Sequence, residues 1–137
     1  MLQAEEADII NLMVGTHVKA VGRASPNLLR DTGLIERYLK GLCSAIDMRT
    51  ISGPHTVVVE EALVERGADP FEDEGGVTSV LVLSTSHICI HTWPLRERLE
   101  VDCYSCRDFE PKVFAQVTMQ FFDIAHEDLR YIVIGFG

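Results

Sequence analysis

The run Ser86–Trp93, SHICIHTW, constrains the fold more than any other stretch of the chain. Ile88, Ile90 and Thr92 alternate with His87, Cys89 and His91, and a period of two is the period of a β-strand. The two sets face opposite sides, so this strand has one side suited to a core and one side carrying imidazoles and a thiol. Such a strand belongs in an antiparallel sheet with one face covered and one face open. Its neighbours read the same way. Thr56–Val59 is β-branched throughout, Val77–Leu83 is a second such run, and Leu99, Val101 and Cys103 mark a return strand. His17–Val21 and Tyr131–Phe136 supply a first and a last strand.

Helices are expected on the covered face. Leu28, Leu29, Leu34, Ile35, Tyr38, Leu39 and Leu42 recur at helical spacing across Asn27–Ile46, with Gly33 the weak point. Pro111 suits the first turn of a helix reaching about Phe122. Residues 1–15 read as a short amphipathic helix with Ala7, Ile9, Ile10, Leu12 and Met13 on its apolar side. The expected order is β-α-β-β-β-α-β. This is an α+β, two-layer α/β sandwich, with an antiparallel sheet and helices on one face. At 137 residues, the chain is expected to form a single domain over 1–137.

Charge narrows the partners. The net charge is −9, which argues against a general nucleic-acid binder, because such a protein needs a basic face to displace phosphate counterions. It leaves a small cationic substrate open. Residues 60–74 alone carry seven acids and one arginine, and read as a solvated loop, or as carboxylates that attract a cationic ligand. The N-terminus is acidic and lacks a signal-like apolar run, and the longest apolar runs resemble Val80–Leu83, far short of a bilayer span. The expectation is a cytoplasmic protein with no membrane partner. Its four cysteines (Cys43, Cys89, Cys103 and Cys106) are then thiols, ligands or catalytic groups rather than disulfides.

The stretch Ser84–Cys106 holds three of those cysteines, two of the five histidines and the only tryptophan. Three readings compete for it. Two histidines and a Cys-x-x-Cys pair (His87, His91, Cys103 and Cys106) suit tetrahedral zinc in a small binding module. Against this, residues three apart on a strand face opposite ways. Alternatively, each residue is an ordinary occupant of a half-buried strand. That reading serves any one of them better than it serves the whole cluster.

The third reading is a resemblance. Ser86-His87-Ile88-Cys89-Ile90-His91-Thr92-Trp93-Pro94, followed by Asp102-Cys103-Tyr104-Ser105-Cys106, resembles the processing and active-site segment of the prokaryotic S-adenosylmethionine decarboxylase family. Val77-Thr78-Ser79-Val80 resembles that family's segment upstream of the cleavage serine. The resemblance implies a proenzyme that cuts itself between Thr85 and Ser86 into chains 1–85 and 86–137. Ser86 would become a pyruvoyl group, which forms a Schiff base with the substrate amine and serves as an electron sink. By position, His91 matches the processing base, Thr78 the processing serine, and Cys106 the acid that returns a proton to the substrate carbon. His87 is expected to line the site. The resemblance also implies a homodimer of processed protomers, and needs no metal.

The chain departs from the family pattern at identifiable positions. Thr85 stands where the family usually has Glu, which is tolerable because only the backbone carbonyl is attacked. Leu95 stands where the family has the Glu that holds ribose hydroxyls; Glu97, two residues on, is a candidate substitute. Lys19–Arg23 lacks the acidic-aromatic pair expected beside adenine. The processing parts match and the nucleoside-binding parts do not. The expected substrate is therefore S-adenosylmethionine by family default, or L-ornithine or L-arginine under the same chemistry.

Overall fold

The computed structural model describes residues 15–64 and 71–136. Six strands form one antiparallel sheet: β1 (Gly15–Arg23), β2 (Thr50–Val59), β5 (Gly76–Leu83), β6 (Ser86–Trp93), β7 (Arg98–Ser105) and β8 (Leu129–Phe136). Their spatial order is β2-β5-β6-β7-β1-β8, which places β6 and β7 in the interior and β2 and β8 at the edges. A separate pair, β3 (Ala62–Val64) and β4 (Phe71–Asp73), forms a small hairpin. Among the described residues there are three α-helices, α1 (Pro26–Arg30), α2 (Thr32–Ala45) and α3 (Pro111–Phe122).

The α+β sandwich is as the sequence suggests, but the expected order is one strand short. Four sheet strands, not three, lie between the two helical regions. The expected order undercounts the runs themselves, since Thr56–Val59, Val77–Leu83, Ser86–Trp93 and the return strand at Leu99, Val101 and Cys103 make four; β2 only begins earlier than expected, at Thr50, and runs through Ser52-Gly53-Pro54 with register shifts. The expected helix over Asn27–Ile46 is two helices. Asp31 interrupts it, its side chain accepting the Leu34 N–H at 3.0 Å and capping α2. The acidic stretch 60–74 is not simply a loop, since it contributes the β3–β4 hairpin. The helix expected over residues 1–15 lies outside the described residues, apart from Gly15, which begins β1.

The sheet has two unlike faces. Val18, Ala20, Leu81, Leu83, Ile88, Ile90, Leu99, Val101 and Cys103 are buried on one side. They pack against Leu29, Ile35, Tyr38, Leu39 and Leu42 of α1 and α2 and against Phe114 and Phe122 of α3. The Tyr38 hydroxyl meets Thr118 Oγ1 at 2.7 Å, so the one large polar group in this core is satisfied. Among the described residues, no helix covers the opposite face. It presents His17 and Lys19 of β1, Tyr104, Asp102 and Glu100 of β7, His87, Cys89, His91 and Trp93 of β6, and Thr78 of β5, all exposed or half-buried. Gly76, at the start of β5, lies so close to β6 that a Cβ there would meet the Thr92 carbonyl. Among the described residues, no helix is long and apolar enough to cross a membrane.

Candidate active site

The β5–β6 turn is a two-residue link. Leu83 pairs with Ser86, leaving Ser84 and Thr85 to reverse the chain. Thr85 carries φ +51°. A branched side chain in the left-handed region is a steric outlier, and such a residue costs on the order of 1–3 kcal/mol. The neighbouring end of β7 closes against this turn. The Cys106 N–H donates to Ser86 Oγ at 2.8 Å, and Thr85 Oγ1 donates to Cys106 Sγ at 3.1 Å. Cys106 Sγ also lies 3.6 Å from the Ser84 carbonyl. Ser86 is 8% exposed, while Thr85 is open to solvent. Hydrogen bonds from the Ser86 and Thr85 hydroxyls draw the Cys106 thiol below its ordinary pKa, outweighing its small desolvation. A serine hydroxyl, a strained peptide before it and an adjacent thiol are thus gathered in one place, by a short turn and by the β6–β7 pairing.

Thr78 and His91 form a second group. They are register partners on β5 and β6, and Thr78 Oγ1 lies 2.8 Å from His91 Nδ1. Cys89 Sγ approaches the other ring nitrogen at 3.4 Å. This group stands on the open face, five residues along β6 from Ser86. At about 3.3 Å per residue, that is roughly 17 Å, with the side chains on opposite sides of the sheet. Within one protomer, His91 therefore does not reach Ser86.

The expected substrate residues divide the same way. His87 stands on the open face near the turn and donates from Nε2 to Asp102 Oδ2 at 2.9 Å. Leu95 sits beyond the far end of β6, in the 3-10 turn Pro94–Arg96, and is 55% exposed. Glu97 follows with φ +52° and borders a pocket of about 470 Å³ with Arg23, Arg98 and Arg130. Trp93, beside this turn, lies under the Arg98 guanidinium at 5.7 Å.

The zinc arrangement does not form. Cys103 is fully buried on the helix side, and burial pushes its thiol up to about 12. Cys106 lies at the turn, and His87 and His91 lie on the open face. Among the described residues, no three or more His, Cys, Asp or Glu side chains converge as metal ligands.

Two features escaped the sequence reading. One is Asp102, whose carboxylate also bonds His17 Nε2 at 2.5 Å, so that one acid ties β1 to β6 across β7. Desolvation raises its pKa, but the bonds from His87 and His17 and their charge outweigh this and hold the carboxyl below the ordinary range. The alternation of β7 already placed Asp102 on the face of His87. His17, from a distant strand, left no comparable local signal. The other is the Thr85 conformation, which no local pattern announces because turn chemistry favours Gly or Asn there.

The sequence profile of the S-adenosylmethionine decarboxylase family matches residues 18–133, from within β1 to within β8. The chain belongs to this family. Similar proteins include an "Arginine decarboxylase proenzyme" from Caldivirga maquilingensis, 34% identical over 113 residues, covering 77% of this chain and 76% of the relative. An "S-adenosylmethionine decarboxylase proenzyme 2" from Bacillus anthracis is 29% identical over 112 residues, covering 81% and 80%. The solved structure of the adenosylmethionine decarboxylase of Aquifex aeolicus superposes with a TM-score of 0.64 at 21% identity, over 91% of this chain and 92% of that one. That likeness shows a shared fold. The family is one of decarboxylase proenzymes, and its two curated names above differ in substrate.

Proposed function

We propose that this chain is a self-processing, pyruvoyl-dependent decarboxylase of polyamine biosynthesis, cleaved between Thr85 and Ser86. The observation that carries the reading is the contact of Ser86, Thr85 and Cys106 at the β5–β6 turn, with its 2.8 Å and 3.1 Å hydrogen bonds.

The local chemistry suits the precursor of such a group. Ser86 Oγ is the only side-chain hydroxyl that follows Thr85 directly, and the Cys106 N–H fixes it beside the turn. Attack by Oγ on the Thr85 carbonyl carbon makes the C–O bond of an ester, the C–N bond breaks, and the hydroxyl proton passes to the Ser86 amine. Removal of the Ser86 α-proton then expels the Thr85 carboxylate. The dehydroalanine so formed takes up water and loses ammonia, leaving a pyruvoyl group on residue 86. Its carbonyl supplies the sink for the electron pair left when a substrate carboxylate departs. Cys106, next to that position, returns a proton to the substrate carbon.

The processing imidazole comes from a second copy. Thr78 and His91 stand at one end of the sheet face that no described helix covers, and Cys106 and the Ser84–Thr85 turn leading into Ser86 stand at the other. Two such faces, packed about a two-fold axis that runs across the strands, set the Thr78–His91 end of one copy against the Ser86 end of its partner. The edge strands bring apolar area to this contact, with Ile132 and Ile134 on β8 and Val57 on β2 all 47% exposed or more. Both active sites of the homodimer are then shared between protomers. Four free cysteines accord with a reducing, cytoplasmic setting.

The substrate is a small cationic amino acid or its sulfonium counterpart. S-adenosylmethionine is the family's default. Leu95 favours arginine or ornithine, since a leucine accepts no hydrogen bond from a ribose, and each unpaired hydroxyl costs on the order of 1–3 kcal/mol. The similarity to the Caldivirga arginine decarboxylase proenzyme supports the same choice. Processed protein assayed side by side on S-adenosylmethionine, arginine and ornithine decides it. Release of carbon dioxide from arginine or ornithine is the expected result. Turnover of S-adenosylmethionine alone would return Leu95 to an incidental change, and turnover of none would reject the substrate class.

A further inference from the structure

We infer that Thr85 is a strained positioning residue whose left-handed backbone drives the self-cleavage step. The inference rests on the reading that Thr85–Ser86 is the scissile peptide, and goes beyond it in giving the side chain at position 85 a purpose.

Three observations combine. The turn has only two residues between register partners Leu83 and Ser86, so it cannot lengthen while β5 and β6 stay paired. Of those two residues only Thr85 has positive φ, at +51°. It is β-branched, so both γ atoms crowd a backbone that glycine or asparagine would adopt with ease. The conformation is enforced by the pairing of β5 and β6 on either side of this link, and Thr85 Oγ1 lies 3.1 Å from Cys106 Sγ and 2.8 Å from the Ser84 carbonyl, sharing its one proton between them. Strain that surrounding contacts enforce on a reacting bond is strain the reaction can release.

The covalent change has the right geometry to release it. In the peptide, two bonds join the Thr85 carbonyl carbon to Ser86 Cα, through the amide nitrogen. In the ester, three bonds join them, through Oγ and Cβ. The link gains one atom, the planar amide is gone, and the turn slackens. Cleavage then frees residue 85 altogether. The strained peptide therefore loses more energy on reacting than an unstrained one does, and part of that difference is felt at the barrier.

A merely structural role predicts nothing about rate, whereas this account predicts opposite signs for stability and rate. Thr85→Gly relieves the strain, so the full-length chain should self-cleave about tenfold more slowly than wild type. In a Ser86→Ala background, which holds every chain uncut, Thr85→Gly should raise Tm by a few degrees, roughly 2–4 °C. Thr85→Val keeps the branched Cβ and drops the hydroxyl. It should cleave at least about tenfold faster than Thr85→Gly. Rates come from intact-mass time courses on freshly made protein. If Thr85→Gly cleaves as fast as wild type, or fails to raise Tm, the inference is overturned while the scissile bond stands. If Thr85→Val is as slow as Thr85→Gly, the hydroxyl and not the strain is the driver, and the inference again fails. A wild-type chain that never cleaves overturns the scissile-bond reading and this inference together.

Discussion

The two ends of β6 are built alike and have different tasks. Each is a tight turn, and each contains one non-glycine residue with positive φ, Thr85 at +51° and Glu97 at +52°. At the Pro94–Glu97 end the geometry is relaxed. Glu97 is unbranched and exposed, its N–H bonds the Pro94 carbonyl, and its own carbonyl accepts the Ala24 N–H at 3.0 Å. At the Ser84–Thr85 end a branched residue is forced into the same region beside a buried serine and a thiol. The first end departs from the family pattern, at Leu95. The second retains the groups that self-processing requires. On the proposed reading, the difference teaches that such a chain alters the end that would meet the substrate while keeping the end that would make its own prosthetic group.

The largest expected effect breaks the processing end outright. Ser86→Ala removes the hydroxyl that attacks, and should leave only the intact 137-residue chain after any incubation, read by denaturing mass spectrometry. His91→Ala should slow cleavage by about 10²–10⁴-fold, the usual scale for a lost general base. If His91 acts from the second copy as proposed, an equimolar mixture of Ser86→Ala and His91→Ala chains, refolded together, should contain cleaved His91→Ala chains.

The substrate end should respond by a smaller amount and in the other direction. Leu95→Glu restores an acceptor for ribose hydroxyls. It should shift kcat/KM toward S-adenosylmethionine relative to arginine by about 10- to 100-fold, the range of one unpaired hydroxyl. Glu97→Ala should change this ratio little if Leu95 alone marks the altered pocket. A ratio unmoved by Leu95→Glu would place nucleoside selection elsewhere.

How much of this was legible beforehand differs between the same two ends. Alternation in SHICIHTW placed His87, Cys89 and His91 on one face because a half-buried strand must alternate, and the sheet obeys it. Chain order brought Ser86 near Cys106 through the return strand, and the structure makes that contact through the Cys106 N–H. What sequence spacing did not reveal is that Thr78 and His91 stand about 17 Å from Ser86, since a motif written along one line hides which of its members share a neighbourhood. Backbone conformation at Thr85 was also illegible, because threonine is a poor advertisement for a left-handed turn. The break at Asp31 was readable in principle, as aspartate is among the favoured N-cap residues of a helix, but the apolar spacing ran across it.

Cys106 offers a finer test of the turn. In the uncut chain the Ser86 and Thr85 hydroxyls lower its pKa, so the thiolate is favoured there and forms at a lower pH than in an ordinary cysteine. Ser86→Ala removes the larger of these donors. The pH at which Cys106 is half-alkylated should therefore rise in Ser86→Ala relative to uncut His91→Ala, with the modified peptide quantified by mass. In the proposed scheme self-cleavage would consume the same hydroxyl, and the mature site would hold a thiol better able to keep the proton it is to donate.

The smallest effect lies on the open face. Asp102 has a depressed carboxyl, so its contribution to stability is present above the ordinary aspartate pKa near 3.8 and is lost as pH falls through its lower folded value. Asp102→Asn should remove that portion of the acid dependence while costing about 1 kcal/mol or less near neutral pH, as expected for a half-exposed pair. Denaturant unfolding at several pH values reads both.

The central claim is that this chain cuts itself at the strained turn and turns Ser86 into its own prosthetic group. The intact mass of purified wild-type protein under denaturing, reducing conditions tests it most directly. The account predicts two species dividing between Thr85 and Ser86, the second without a free N-terminal amine. A single uncut chain that persists through long incubation would contradict it.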